Sequence, residues 1–238
     1  MEHIEGKSQS NPSANRRDPR LYHIASLGTL LAYGLFWLHF DLSLWQIAVT
    51  IGTALLTQYA GTRYAKLPCF DPKSALISSL SLCILLRTDH LAIAALASVV
   101  AIGSKFVFRW KDKHLFNPTN LALAVGLATG LGWISPGQWG QVAWFGFLIA
   151  CLGSLVVTRA ARADVTFAFL AAYVGLLFVR VLWLGDPLAI PFHQIESGAL
   201  LIFAFFMISD PKTTPDSRAG RIVYALCVAL AALYVQFG

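Results

Sequence analysis

Three Asx–Pro steps mark where this chain could do chemistry: Asp71-Pro72 in "CFDPKSA", Asn117-Pro118 in "HLFNPTN" and Asp210-Pro211 in "FFMISDPKTTPDSRAGR". An Asp or Asn oxygen caps the free N–H groups at a helix start, and Pro fits the first helical position. An apolar run begins after Asp71 and after Asn117, whereas at Asp210 an apolar run ends and a basic, hydroxyl-rich loop opens. Two helix N-termini beside a cationic loop make a seat for an anion or a phosphate. The expected walls are Asn117, Thr119 and Asn120 on one side and Asp210, Lys212, Thr213, Thr214 and Arg218 on the other. The same steps also serve as plain stop signals flanked by loop cations, so the residues alone leave both readings open.

Other groups compete for attention. Asp89, Arg180 and Glu196 fall at the far ends of apolar runs and form a weaker candidate ion path, with Arg180 expected to pair with Glu196 or Asp186 because an unpaired charge there is costly. His39, His90 and His193 sit at run ends with no two at ligand spacing, and the four cysteines, Cys69, Cys83, Cys151 and Cys227, are scattered without a C-x-x-C. No metal site is expected from either set. Lys105 lies one turn before Arg109 and either snorkels or contacts a bound phosphate. No phosphate-binding P-loop, dinucleotide fingerprint or hydrolase nucleophile motif is present, so no catalytic residue is assigned.

The elements that must position these residues are membrane helices. Of 238 residues, 57% are hydrophobic and only 13% charged, against about a quarter charged in an average soluble domain. Apolar runs recur at 22–40, 44–60, 74–86, 91–108, 119–133, 141–157, 165–184, 197–209 and 222–237. The expected fold is an all-α polytopic membrane protein of about nine transmembrane helices, or ten with a re-entrant segment. A polar tail, residues 1–20, expected to be disordered, precedes a single transmembrane domain, residues 21–238. Sixteen of the eighteen Lys and Arg residues fall in alternate connecting segments, with Arg87 and Arg180 the exceptions. The positive-inside rule then puts the N-terminus in the cytoplasm of a cell with the chain in its cytoplasmic membrane. The net charge of +6 is therefore an orientation signal, and the lipid bilayer, not nucleic acid, is the expected partner. Three runs, 74–86, 119–133 and 197–209, are short, which in transport folds points to a buried site.

"SALISSLSLCILL", "HLFNPTNLALAVGL" and "SGALLIFAFFMISDPKTTPDSRAGR" resemble the RnfD and NqrB membrane subunits of the Rnf and Nqr complexes, over roughly residues 70–237. The resemblance implies a subunit of an ion-translocating electron-transport complex that works with redox partners or other complex subunits. It also implies flavins held among the helices. One of these is usually FMN joined to a threonine in an S/T-G-A-T-like segment on the outer side. The corresponding loop here, "GLGWISPGQWGQ", has no threonine, and the nearest alternative is Thr166. The expectation is thus a noncovalent flavin, FMN or riboflavin, in a relay subunit. Its ring would take hydrogen bonds from Asn117, Thr119 and Asn120, and Lys212 and Arg218 would meet phosphate or ring charge. The alternative is a redox-free transporter of a small molecule or ion using the same short helices.

Overall fold

The computed structural model describes residues 18–110, 113–135 and 143–237. Most of the expected polar tail and the second half of the Gly130–Gln141 loop lie outside the described residues. The helices in chain order are α1 (Pro19–Phe36), α2 (Leu44–Tyr64), α3 (Pro72–Leu85), α4 (Leu91–Val107), α5 (Pro118–Ala128), α6 (Ala143–Arg159), α7 (Ala163–Leu184), α8 (Ala189–Ile195), α9 (Gly198–Ile202) and α10 (Arg218–Phe237). A π-helical turn, Phe203–Met207, continues α9, and four two-residue strands, β1 (Leu86–Arg87), β2 (Arg109–Trp110), β3 (Lys113–His114) and β4 (Trp133–Ile134), make two antiparallel pairs, β1 with β4 and β2 with β3.

The exterior is apolar, as in a multi-pass membrane protein. Trp183 is 85% exposed, Val235 83% and Leu182 80%, side chains that a water-facing surface would not collect in such number. By length and hydropathy, two described helices are able to cross a bilayer, α7 and α10, and a third if α8 with α9 and its π turn counts as one span bent by 50°. α2 has 21 residues but carries Thr50, Gln58 and Thr62 on its buried face. Its polarity points inward, away from the exterior.

The three short runs differ from plain crossing helices, and their geometry says why. At about 1.5 Å per residue, the 14 residues of α3 reach ~21 Å and the 11 of α5 reach ~17 Å, short of the ~30 Å hydrocarbon core. Each is prolonged by extended chain. β1 follows α3, β4 follows α5, and the two strands pair Leu86 with Ile134 and Arg87 with Trp133. The pairing satisfies backbone groups that lipid cannot. Arg87, 4% exposed, completes the repair by donating to the carbonyls of Cys83, Ile84 and Leu86 at the end of α3. The third short run, 197–209, is the second half of the bent α8–α9 pair, not a separate straight helix.

Contacts gather the cation-rich segments at one end of the bundle. Asp18 bonds Lys73 and Asp71 bonds Arg20, joining the start of α1 to that of α3. Lys113 bonds Asp216, joining the loop before α5 to the loop before α10, and Arg221 grips Asp164 through Nε and Nη2, joining the first turn of α10 to the start of α7. Arg180 lies at the other end, bonded to Asp186 at 2.6 Å and stacked over Phe237. Of the two expected partners for Arg180, the structure selects Asp186.

The core runs through Leu27 and Leu30 of α1, Ile84 of α3, Phe145 and Ile149 of α6, Phe169 of α7 and Ile202 of α9, each buried completely or within a few per cent. At the π turn, Thr166 of α7 donates its hydroxyl to the Ala204 carbonyl at 2.7 Å, and Ser209 donates to that of Phe205 at 2.7 Å. The wider turn presses Phe205 onto α6, where a Cβ built on Gly153 would meet the Phe205 Cβ and ring at 2.5 Å. Replacing Gly153 by Ala is expected to cost about 1–3 kcal/mol through overpacking. Gly175, in α7, has open space around it, so Gly175→Ala is expected to be neutral or stabilising by up to ~1 kcal/mol. Thermal unfolding of the two variants in detergent checks the contrast.

Candidate functional site

The first two Asx–Pro steps cap as their chemistry dictates. Asp71 Oδ1 accepts from the Lys73 N–H at 3.3 Å, and Asn117 Oδ1 accepts from the N–H groups of Thr119 and Asn120 at 3.1 and 3.2 Å. Asp210 instead organises a loop. Its Oδ1 accepts from the Lys212 N–H at 2.9 Å, while its carbonyl receives the Thr213 and Thr214 N–H groups and both their hydroxyls. Two further bonds tie the steps together. Asn117 Nδ2 donates to the Met207 carbonyl at the end of the π turn (3.3 Å), and Thr119 Oγ1 donates to the Ser78 carbonyl of α3 (3.4 Å).

All three steps open onto one cavity of about 530 Å³, which also draws walls from α1, α2, α4 and α6. Of the residues expected at the site, Asn117, Thr119, Asp210 and Lys212 line it. Asn120, Thr213, Thr214 and Arg218 do not: Asn120 is part of the α5 cap, Thr213 and Thr214 spend their hydroxyls on their own loop, and Arg218 is exposed at the start of α10. Asp89 and Glu196 are both exposed, and among the described residues no hydrogen bond or ion pair joins them to each other or to Arg180. No group of three or more His, Cys, Asp or Glu able to hold a metal occurs among the described residues.

Lys105 of α4 reaches into the same cavity. It is 5% exposed, and its ammonium donates to the Ser74 carbonyl and hydroxyl at 3.1 and 3.0 Å, without an ion pair among the described residues. Arg109 and Lys212 add further positive charge to the lining, and Asp71 and Asp210 supply its carboxylates. Burial pushes the Asp210 carboxyl up, with the Lys212 N–H and the charges of Lys105 and Lys212 opposing it. His114 lies on β3, anchored by its N–H to the Lys212 carbonyl at 3.1 Å. Burial first, then the charges of Lys105, Arg109 and Lys212, push its imidazole down to about 4. It is therefore neutral at physiological pH.

Sequence reasoning did not place His23, Gln58 or His114 here. None of the three stands in a recognisable motif: Gln58 shares the buried face of α2 with Thr50 and Thr62, His114 follows a short charged run, and only the packing of α1, α2 and β3 against the steps brings them in. They share one property. His23 Nε2, Gln58 Oε1 and His114 Nδ1 are buried atoms with no hydrogen-bond partner among the described residues, and all three residues line this cavity. Buried polar atoms are rarely left unpaired. The arrangement suits binding of an anionic, hydrogen-bonding ligand, with Phe106 and Phe206 offering apolar walls.

Comparison with known proteins bears on part of the chain. Residues 127–237 match the model of the NQR2, RnfD, RnfE family. Among curated relatives, the D subunit of the ion-translocating oxidoreductase complex of Erwinia tasmaniensis is 33% identical over 107 residues, 44% of this chain and 28% of that protein. Its counterpart in Alcanivorax borkumensis is 34% identical over 109 residues (44% and 28%), and that in Klebsiella pneumoniae 35% over 117 residues (48% and 30%). The resemblance read from the sequence is thus confirmed for residues 127–237, a shorter stretch than the expected 70–237. The chain spans under a third of the length of these relatives.

Two outcomes follow from the geometry. Asn117→Ala removes two cap bonds and the tether to Met207, and is expected to destabilise the protein by about 1–2 kcal/mol in detergent unfolding. Because the His114 pKa is depressed in the fold, the unfolded chain binds the extra proton between pH 6.5 and about 4. Its contribution is full above 6.5 and is lost as pH falls toward 4. The difference in Tm between wild type and His114→Asn is therefore expected to shrink over that window, measured on matched samples.

Proposed function

Taking the family match over residues 127–237 as premise, we propose that this chain is an integral membrane electron-transport subunit that holds a flavin noncovalently in the cavity between Asn117, Thr119, Asp210 and Lys212. The observation that carries the reading is the set of three orphaned polar atoms, on His23, Gln58 and His114, around a space of about 530 Å³. A ligand of that size, part flat and apolar and part rich in hydrogen-bonding atoms, answers both features. Noncovalent attachment is favoured by Thr166, which is fully buried and gives its hydroxyl to the Ala204 carbonyl. That oxygen is spent within the helix packing and is not offered to a phosphate.

In this reading the chain relays electrons and is not a stand-alone catalyst. It works with redox partners or other subunits of an ion-translocating oxidoreductase complex, in the cytoplasmic membrane with its N-terminus in the cytoplasm. The alternation of sixteen cations supports that orientation. A redox-free transporter is the second reading, favoured by the half-length helices α3 and α5 that meet at the cavity.

The visible spectrum of detergent-purified protein separates the two. The flavin reading expects flavin absorbance, no fluorescent band on a denaturing gel, and a loss of roughly tenfold or more in flavin occupancy for Lys212→Ala, as one charge-assisted bond disappears. Lys212 is exposed and its side chain makes no hydrogen bond or ion pair among the described residues, so this variant is expected to fold normally. A colourless protein from flavin-replete cells sinks the reading, and a fluorescent denatured band overturns noncovalent attachment.

A further inference from the structure

One largely buried cation at the cation-rich end of the bundle lacks an adequate partner, and it does not line the cavity. Arg162 closes the short turn, 160–162, between α6 and α7. Its side chain is only 17% exposed, and its Nε is buried with no hydrogen-bond partner among the described residues. Nη1 reaches no better acceptor than the neighbouring Ala161 carbonyl, at 3.5 Å, and Nη2 stands 4.0 Å from Asp216 Oδ1. Lys113 holds that same oxygen more closely, at 2.6 Å. The other cations around the turn are engaged. Arg159 stacks over the Tyr22 ring and donates to its hydroxyl at 3.2 Å, while Arg221 is committed to Asp164 and to the Asp216 carbonyl.

The position deepens the deficit. Arg162 is the N-cap residue of α7 and supplies no side-chain cap bond. A helix start carries the positive end of the dipole and favours anions, so a cation there is repelled. Asp164, the acidic residue of the first turn, is the natural counterweight, but Arg221 already takes both of its oxygens. A guanidinium mostly withdrawn from water, with no anion in bonding reach, is unfavourable. An anion at this point meets the guanidinium and the start of α7 together.

We propose that this is the seat of an anionic phospholipid, whose headgroup phosphate lies against the Arg162 guanidinium at the start of α7. A guanidinium fork matches the geometry of phosphate oxygens. The lipid source follows from where the seat lies. α7 is one of two described helices long and apolar enough to cross a bilayer, so its end falls at the level of the headgroups. Leu155 of α6 and Phe167 of α7 are the large apolar side chains exposed nearest the turn, and they meet the acyl chains. Basic recesses at helix ends take anionic headgroups in this way. The seat is separate from the cavity and does not depend on the flavin reading.

The experiment measures the Tm of the full chain in phosphatidylcholine nanodiscs containing increasing fractions of phosphatidylglycerol. The wild type is expected to gain stability along a saturating curve, as a ligand of the native state requires. In Arg162→Gln the fraction of phosphatidylglycerol giving half the gain is expected to rise about tenfold, through loss of charge-assisted bonds. Asp216→Asn removes the carboxylate that competes with the headgroup and frees Lys113, so its half-point is expected to fall. Arg63→Gln, an equal charge change at the exposed end of α2, is expected to leave the half-point unchanged. No gain in the wild type, or a half-point unmoved by Arg162→Gln, overturns the proposal. An equal shift in Arg63→Gln also overturns it, because the effect is then one of overall charge. If Arg162→Gln does not fold, Asp216→Asn decides, and a half-point that fails to fall overturns the seat. A matching gain from inorganic phosphate in pure phosphatidylcholine overturns the lipid as its occupant.

Discussion

The structure depends on one constraint: in a bilayer, every backbone N–H and C=O must find a partner inside the protein. A helix that crosses completely meets it alone. α3, α5 and the bent α8–α9 pair stop short or bend, and each leaves groups that other parts of the chain must satisfy. Arg87 takes the last carbonyls of α3, and β1 pairs with β4 beyond both short helices. Asn117 takes the first N–H groups of α5 and then reaches the end of the π turn, whose Ala204 carbonyl is met by Thr166. Each repair joins two elements, and the cavity forms where the joined elements converge. The site follows from the short helices and is not an addition to them.

The cations serve two purposes that act at different depths. At the rim, Asp18 with Lys73 and Arg20 with Asp71 are partly exposed pairs, of the kind worth about 0–1 kcal/mol. They fix which segments share an end more than they hold the bundle together. Lys105 is buried behind the rim loops, and water does not screen it as it does them. Its ammonium is met instead by the Ser74 carbonyl and hydroxyl, a solution the rim cations do not need.

The sequence exposes the parts of this structure that are local. An Asx–Pro step declares a capped helix start in three residues, and Asp71 and Asn117 do what the step says. The short runs are visible as lengths, and the gathering of the loops as an alternation of charge. Thr213 and Thr214 fall outside the expected wall because a hydroxyl beside a turn carbonyl bonds its own backbone before it reaches a ligand, here the carbonyl of Asp210. His23 and Gln58 escape notice for the opposite reason. His23 stands among apolar residues of α1 and Gln58 among several polar residues of α2, and whether such a residue faces lipid, a neighbour or a cavity is settled only by packing.

The cavity also crosses the boundary of the family match. Asp210 and Lys212 lie within residues 127–237, whereas Asp71, Lys105 and Asn117 precede them. The part that resembles known subunits supplies the loop and the π turn, and the part before it supplies both capped helices and the buried ammonium. Among the described residues of the site, only two polar bridges, from Asn117 to Met207 and from the His114 N–H to Lys212, cross that boundary. The charges that face across it, Lys105, Arg109 and Lys212, repel one another.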